Sequence, residues 1–305
     1  MSVSILDDFN HLPLAPLQRL SLGWLARAGV EVAILRLDLI DPLISGNKAF
    51  KLLDFLRQAK AANAPGLISL GGAWSNHLHA LAGAGQRFGF ATAGLLRGHP
   101  QDTPTVRDLQ ALGMQLHWLG YGGYRERHQP GFWAPWLQHY PGWQVIPEGG
   151  GGLAGAQGCT QIVSQARAQL AALGWDDYSG WWLAAGTGTT VAGLVLAERG
   201  QHPVVGAMAV PASHGVRENV EAIVTAGEDA LALIDASRGG FAKADAALLA
   251  FIQASEQEAG LPLEPVYTGK ALMALHERVL AGAFSPGTRL IFVHTGGLQG
   301  RRGFA

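Results

Sequence analysis

The sequence has a single cysteine, Cys159, in 305 residues. No intrachain disulfide can form, and no cysteine cluster exists to hold a metal. A lone cysteine in an apolar setting reads first as a small buried hydrophobe. Charge is scarce as well: 15% of residues are Asp, Glu, Lys or Arg, and the formal net charge is −1. That leaves no electrostatic footprint for nucleic acid, and no block of like charge suggests a tail or a membrane patch. The longest uncharged apolar stretch, GWWLAAGTGTTVAGLVLA at 180–197, has Gly and Thr at its centre. A strand, a tight loop and a helix explain it better than a membrane span. The N-terminus, MSVSILDDFNHLPLAPL, has two early aspartates and no basic leader, which makes a poor signal peptide. These absences imply a cytoplasmic protein that meets neither nucleic acid nor membrane.

What is abundant is apolar residues, at 48%, and glycine, at 42 positions. The apolar residues fall into short runs at 66–70, 91–96, 144–147, 181–185, 204–210 and 289–293, separated by helical patterns. This rhythm predicts α/β architecture, with open, mostly parallel twisted sheets flanked by helices. The length suggests two lobes. Ligands of such folds collect at the carboxyl ends of the strands, and glycine clusters follow the strand runs four times. The stretch at 149–158 reads as a loop turning into a helix.

One of those clusters is GTGTT, Gly186–Thr190. Glycines let backbone N–H groups approach an anion, the threonines add hydroxyls, and a helix N-terminus adds partial positive charge. The loop therefore suits a phosphate monoester, although a tight turn without ligand remains open. A Walker loop is absent. Position 191 is valine and no acid ends the next strand, which disfavours a dinucleotide.

The chain has five lysines: Lys48, Lys51, Lys60, Lys243 and Lys270. After a candidate cap at Asn47, residues Ala49, Leu52, Leu53, Leu56 and Ala59 form a helical apolar stripe, and Lys51 lies at its edge. Such a lysine either snorkels or is a desolvated, reactive amine. In GGAWSNH, Ser75 can cap a helix or present a hydroxyl and free N–H groups to a carboxylate, and Asn76 can bond a ligand oxygen. His77 and His79 are two apart and share no helical face, which argues against a metal pair. A phosphate cradle, a lysine and a carboxylate loop at the ends of parallel strands point to pyridoxal phosphate and an amino acid.

In order along the chain, SGNKAFKL, GGAWSNH, IPEGG, GTGTTVAGL, PVYTGKA and HTGG resemble the aminocyclopropane-carboxylate deaminase/D-cysteine desulfhydrase family. These are pyridoxal-phosphate enzymes of the tryptophan-synthase-β fold, fold type II. The resemblance runs from about residue 10 to 300. It implies that Lys51 carries the cofactor aldimine and that Lys48 is structural. It also implies that Ser75 acts near the substrate carboxylate and Cα, with Gly72 and His77 as further substrate contacts. Asn76 meets the cofactor ring oxygen, Gly186, Thr187, Gly188, Thr189 and Thr190 hold the phosphate, and Tyr267 lies on the ring and relays a proton. Thr268 and Thr295 are the hydroxyl candidates for the pyridine nitrogen. Three positions depart from the pattern: Phe50 replaces an arginine, and Gly151 and Gly152 replace a polar pair. Thr268 replaces the glutamate of the deaminases and matches the desulfhydrase branch. The resemblance further implies a small domain at 49–153 inserted into a large one at 1–48 plus 154–305, and a homodimer. The expected activity is α,β-elimination from a small amino acid, as in D-cysteine desulfhydrase, giving pyruvate and ammonia. Aminocyclopropane-carboxylate deamination, another fold-type-II lyase reaction and a non-catalytic cofactor-binding protein are the alternatives.

Overall fold

The structure, a computed structural model, describes residues 12–225, 227 and 229–304. Most of the segment read against a signal peptide, residues 1–11, lies outside the described residues. No helix among the described residues is long and apolar enough to cross a membrane.

The strands are β1 (Leu17–Arg19), β2 (Glu31–Arg36), β3 (Gly66–Gly71), β4 (Ala91–Leu96), β5 (Gln115–Trp118), β6 (Gln144–Val145), β7 (Gly180–Ala185), β8 (Val204–Met208), β9 (Leu231–Asp235) and β10 (Arg289–His294). They form a six-stranded sheet in the order β1-β2-β10-β7-β8-β9 and a four-stranded sheet in the order β5-β4-β3-β6. Every pairing is parallel except β1 with β2. The strands of the smaller sheet all come from one continuous stretch between residues 66 and 145. Parallel strands are buried on both faces, which is why β3, β7 and β10 read as unbroken apolar runs.

Four strands carried no such signal or no glycine loop. β5 and β9 are edge strands, half-exposed along their length. β1 is three residues long. β2, EVAILR, is apolar and central, but no glycine loop follows it to mark it as a ligand-bearing strand.

Three helices from distant parts of the chain bring the sheets together. Helix Asn47–Ala61 packs on helix Gly152–Cys159, which packs in turn on helix Thr189–Glu198. Glycine makes this close. A Cβ on Gly158 would overlap the Phe50 carbonyl oxygen, and one on Gly193 would lie 2.5 Å from both the Ala156 carbonyl oxygen and the Cys159 Cβ. The expected helix after the 149–158 loop begins within that glycine stretch, at Gly152, and breaks at Thr160 before a second helix, Gln161–Arg167. One buried cluster extends through this contact, from Leu67 and Leu81 near β3 to Trp181 and Ile291 in the large sheet. A second fills the other face of the large sheet. A third, with Ile68, Leu95 and Tyr140, covers the outer face of the small one.

Candidate active site

The carboxyl ends of β3, β6, β7 and β10 turn toward one another, each through glycine. Their loops enclose the first turn of helix Asn47–Ala61. Asn47 is that helix's first residue rather than its cap, a place held by Gly46. Gly46 has φ 69°, and a Cβ there would overlap the Thr295 carbonyl oxygen. The Asn47 amide instead donates to Thr190 Oγ1 at 2.9 Å.

The apolar stripe Ala49, Leu52, Leu53, Leu56 and Ala59 is buried as expected, but so are Phe50, Phe55 and Lys51. Lys51 does not snorkel: it is 3% exposed. Its Nζ donates to Thr187 Oγ1 at 3.1 Å and to the Gly149 carbonyl at 3.3 Å. Lys48, one turn earlier on the same face, is half-buried and reaches the Gly149 carbonyl at 3.5 Å. Burial, and then the neighbouring Lys51, hold the Lys48 ammonium well below its ordinary range. Burial also lowers Lys51. A negative Cys159 would oppose both shifts, but burial pushes that thiol up to about 11. At neutral pH it is therefore uncharged and gives the lysines no support. Cys159 is fully buried against Thr190, as a small hydrophobe.

β7 delivers Gly186, Thr187 and Gly188 to the start of helix Thr189–Glu198. Gly188 is left-handed, at φ 82°, and a Cβ there would lie 2.5 Å from Val220 Cγ2. The hydroxyls of Thr187 and Thr189 are 3.0 Å apart. Thr190, expected in the same cradle, has its hydroxyl taken by Asn47 and Cys159. The four glycines after Glu148 wall the cradle: a Cβ on Gly149 would lie 2.9 Å from Thr187 Cγ2, and one on Gly150 3.1 Å from Lys51 Cβ.

β3 delivers Gly72 and Ser75 to helix Asn76–Phe88. Open space faces Gly72. Ser75 caps the helix by accepting from the Leu78 N–H at 3.1 Å, which leaves its own proton free to donate. Asn76 Oδ1 is buried without a partner among the described residues, and the Nδ2 of the same amide lies beside Gly297. His77 is buried, and its tautomer follows from its neighbours. Ser69 Oγ donates to the Ile146 carbonyl at 2.7 Å, so it must accept from His77 Nε2, 2.8 Å away. Nδ1 then carries a bare lone pair and has no partner among the described residues. Burial, Lys48 and Lys51 keep this imidazole neutral by holding its pKa well below the usual value.

Tyr267 packs on the cradle, since a Cβ on Gly186 would lie 2.9 Å from its ring. Burial, Glu264 and Glu148 raise its phenol, so it stays protonated at neutral pH. Thr268 is fully buried, and its hydroxyl is committed to Glu264: it accepts from the Glu264 N–H and lies 3.1 Å from Oε1. Thr295 follows β10 and is 8% exposed.

Sequence reasoning missed three residues here. Glu264 accepts from the N–H groups of Val266, Tyr267 and Thr268 and so fixes the tyrosine's backbone. Its signal was an acid just ahead of a helix start. Ser69, the lone polar residue within β3, orients His77. Glu148 is held by Tyr124 and by Arg127 Nε at 2.8 Å, and faces Tyr267 electrostatically; it lay unremarked within IPEGG.

The site fits pyridoxal phosphate: an anion cradle beside the buried Lys51 and the half-buried Lys48, with the buried polar atoms Asn76 Oδ1 and His77 Nδ1 unpaired among the described residues. Comparison with known proteins agrees. The chain is 28% identical to D-cysteine desulfhydrase from Serratia proteamaculans, covering 93% of this chain and 91% of the relative. It is 27% identical to 1-aminocyclopropane-1-carboxylate deaminase from Burkholderia orbicola, covering 95% and 92%. Against the bifunctional D-cysteine desulfhydrase/1-aminocyclopropane-1-carboxylate deaminase of Arabidopsis thaliana, the identity is 27% over 95% of this chain and 77% of the relative. The crystal structure of an ACC deaminase homologue superposes with a TM-score of 0.80 at 25% identity, covering 97% of this chain and 94% of that one. Threonine deaminase isoform 2 from Solanum lycopersicum, at 17% identity and TM-score 0.68 over 95% and 80%, shares the fold. The pyridoxal-phosphate dependent enzyme family model matches residues 5–296, and the chain belongs to that family.

Proposed function

We propose that this enzyme eliminates a β-substituent from a small amino acid, with D-cysteine as the preferred type of substrate: D-cysteine and water give pyruvate, ammonia and hydrogen sulfide. The observation that carries the reading is Lys51, buried between the phosphate cradle and the Ser75–His77 helix end. When bound, pyridoxal phosphate supplies the electron sink for negative charge at the substrate Cα.

The motif reading gives the cofactor to Lys51, and its surroundings support that assignment: it is 3% exposed, burial lowers its pKa, and its Nζ lies against Thr187 of the cradle. A covalent attachment point must be a free, uncharged amine. Burial favours the uncharged amine at both lysines, and of the two Lys51 is the buried one while Lys48 is half-buried. Lys51 Nζ is held at the cradle by Thr187 Oγ1 and the Gly149 carbonyl. In this reading Lys51 holds the cofactor and later exchanges the Cα proton, and Lys48 is structural. The Gly186–Thr189 cradle takes the phosphate, with Thr190 bracing it from behind. The Asn76 amide meets the ring oxygen. Ser75, Gly72 and the free N–H groups of helix Asn76–Phe88 take the substrate carboxylate, and His77 lines that pocket as a neutral acceptor. Tyr267, held protonated, donates to the departing sulfur. Because Glu264 occupies Thr268, Thr295 is the better hydroxyl for the pyridine nitrogen.

Two things favour a thiol substrate over ring opening. The residue after Tyr267 is uncharged, and a neutral ring supports a brief negative charge better than a prolonged one. The relatives include a protein named D-cysteine desulfhydrase. A pyruvate assay over a panel of D- and L-amino acids tests the proposal. Turnover of D-cysteine and β-chloro-D-alanine, with little from aminocyclopropane-carboxylate, is expected. Comparable turnover of D-cysteine and aminocyclopropane-carboxylate, or turnover of L-amino acids alone, overturns it.

A further inference from the structure

Lys270 takes no part in the site above, yet its side chain is as deeply buried as any lysine in the chain, at 1% exposure. It sits in the first turn of helix Thr268–Leu280. Its Nζ donates to three main-chain carbonyls: Ser237 at 2.8 Å, Gly240 at 2.9 Å and Ala209 at 3.3 Å. An ammonium has three protons to give, and each finds an oxygen. The oxygens are neutral and come from separate stretches, just past β8, just past β9 and within the loop beyond β9. That loop is wound to aim them. Arg238, Gly239 and Ala242 are left-handed, with φ of 51°, 79° and 56°, and for Arg238 and Ala242 that conformation carries strain.

A convergent set of neutral carbonyl oxygens around one positive charge is how proteins replace the hydration shell of potassium. An ammonium group and a potassium ion are of similar size and equal charge. We propose that the carbonyls of Ala209, Ser237 and Gly240 form a monovalent-cation site that the chain fills with its own Lys270. The charge has a structural task. Glu264, Asp235, Asp245 and Arg238 are the charged groups that face it. Phe241 follows Gly240, and its ring lies 6.1 Å from that of Tyr267. The filled cage therefore sets the wall behind Tyr267, and Lys270 is a positioning residue that acts through this loop. With the cation supplied in cis, the enzyme is independent of potassium.

Truncation tests this, with the holoenzyme assayed in potassium, ammonium, lithium or choline chloride at equal ionic strength. Wild type should show the same thermal midpoint, cofactor absorbance and KM in all four. Lys270→Ala should lose cofactor retention and melt several degrees lower in choline and lithium, and potassium or ammonium should restore most of both losses. Lys270→Met fills the space without charge and should be impaired equally in every salt. A potassium requirement in wild type contradicts the proposal. So does a Lys270→Ala protein that behaves alike in potassium and choline, including one that folds in neither. A Lys270→Met protein indistinguishable from wild type contradicts it too, because the cage would then need no cation. None of these outcomes depends on which amino acid is the substrate.

Discussion

Lys48 owes its character to its surroundings rather than to its sequence position. Its folded-state pKa is lowered by burial and by Lys51, while in the unfolded chain it returns to about 10.4. Between those two values the unfolded chain binds a proton that the folded protein does not, so stability rises with pH across that window. Below the folded pKa the full penalty applies; above the unfolded value it is gone. Cofactor-free wild type should therefore gain stability with rising pH on the alkaline side, by up to about 1.4 kcal/mol per pH unit from this group. Lys48→Met should flatten that slope. Urea unfolding at a series of pH values measures it, and parallel slopes for the two proteins would remove Lys48 as the source. The motif made both lysines visible. It singled out Lys51, but not the hydrogen bonds that hold it, which come from Gly149 and Thr187, about 100 and 136 positions away along the chain. The His77 tautomer was hidden for the same reason, since it is set by Ser69 and Ile146 from two other strand ends.

At the scale of elements, the loop–helix unit Gly186–Glu198 was legible because all its signals are local: apolar strand, glycine turn, helix. Gly188→Asp should greatly weaken cofactor binding, because it adds a carboxylate to the cradle, a Cβ 2.5 Å from Val220 Cγ2 and a side chain at φ 82°. Titration with pyridoxal phosphate checks this, and wild-type affinity would move the phosphate site elsewhere. The tight packing of helices Asn47–Ala61, Gly152–Cys159 and Thr189–Glu198 was not legible, since glycines at 155, 158 and 193 look like loop residues until their partners are known. Gly158→Val should cost at least about 1–3 kcal/mol by forcing a side chain into the Phe50 backbone. A denaturation midpoint equal to wild type would show that the helices are freer than this packing implies.

Over the whole molecule, the parallel sheets followed from the alternation of apolar runs and helical patterns. The edge strands β5 and β9 did not, because half-exposed strands lack a continuous apolar signature. The buried cluster running from Leu67 and Leu81 to Trp181 and Ile291 couples the two sheets. We therefore expect one cooperative unfolding transition, with far-ultraviolet circular dichroism and tryptophan fluorescence melting together. Trp143 and Trp136 pack against the small sheet, and Trp181 and Trp182 lie in the large one, so fluorescence samples both. Two separated transitions would show that the sheets are energetically independent.

The whole arrangement converges on one amine. Reducing the holoenzyme with borohydride fixes the cofactor to the lysine that holds it, and fragmentation of the labelled peptide by mass spectrometry distinguishes Lys48 from Lys51. The account predicts the pyridoxyl group on Lys51, with Lys51→Ala losing the visible absorbance of the bound cofactor and Lys48→Ala keeping it. Label on Lys48, or on neither lysine, would contradict it.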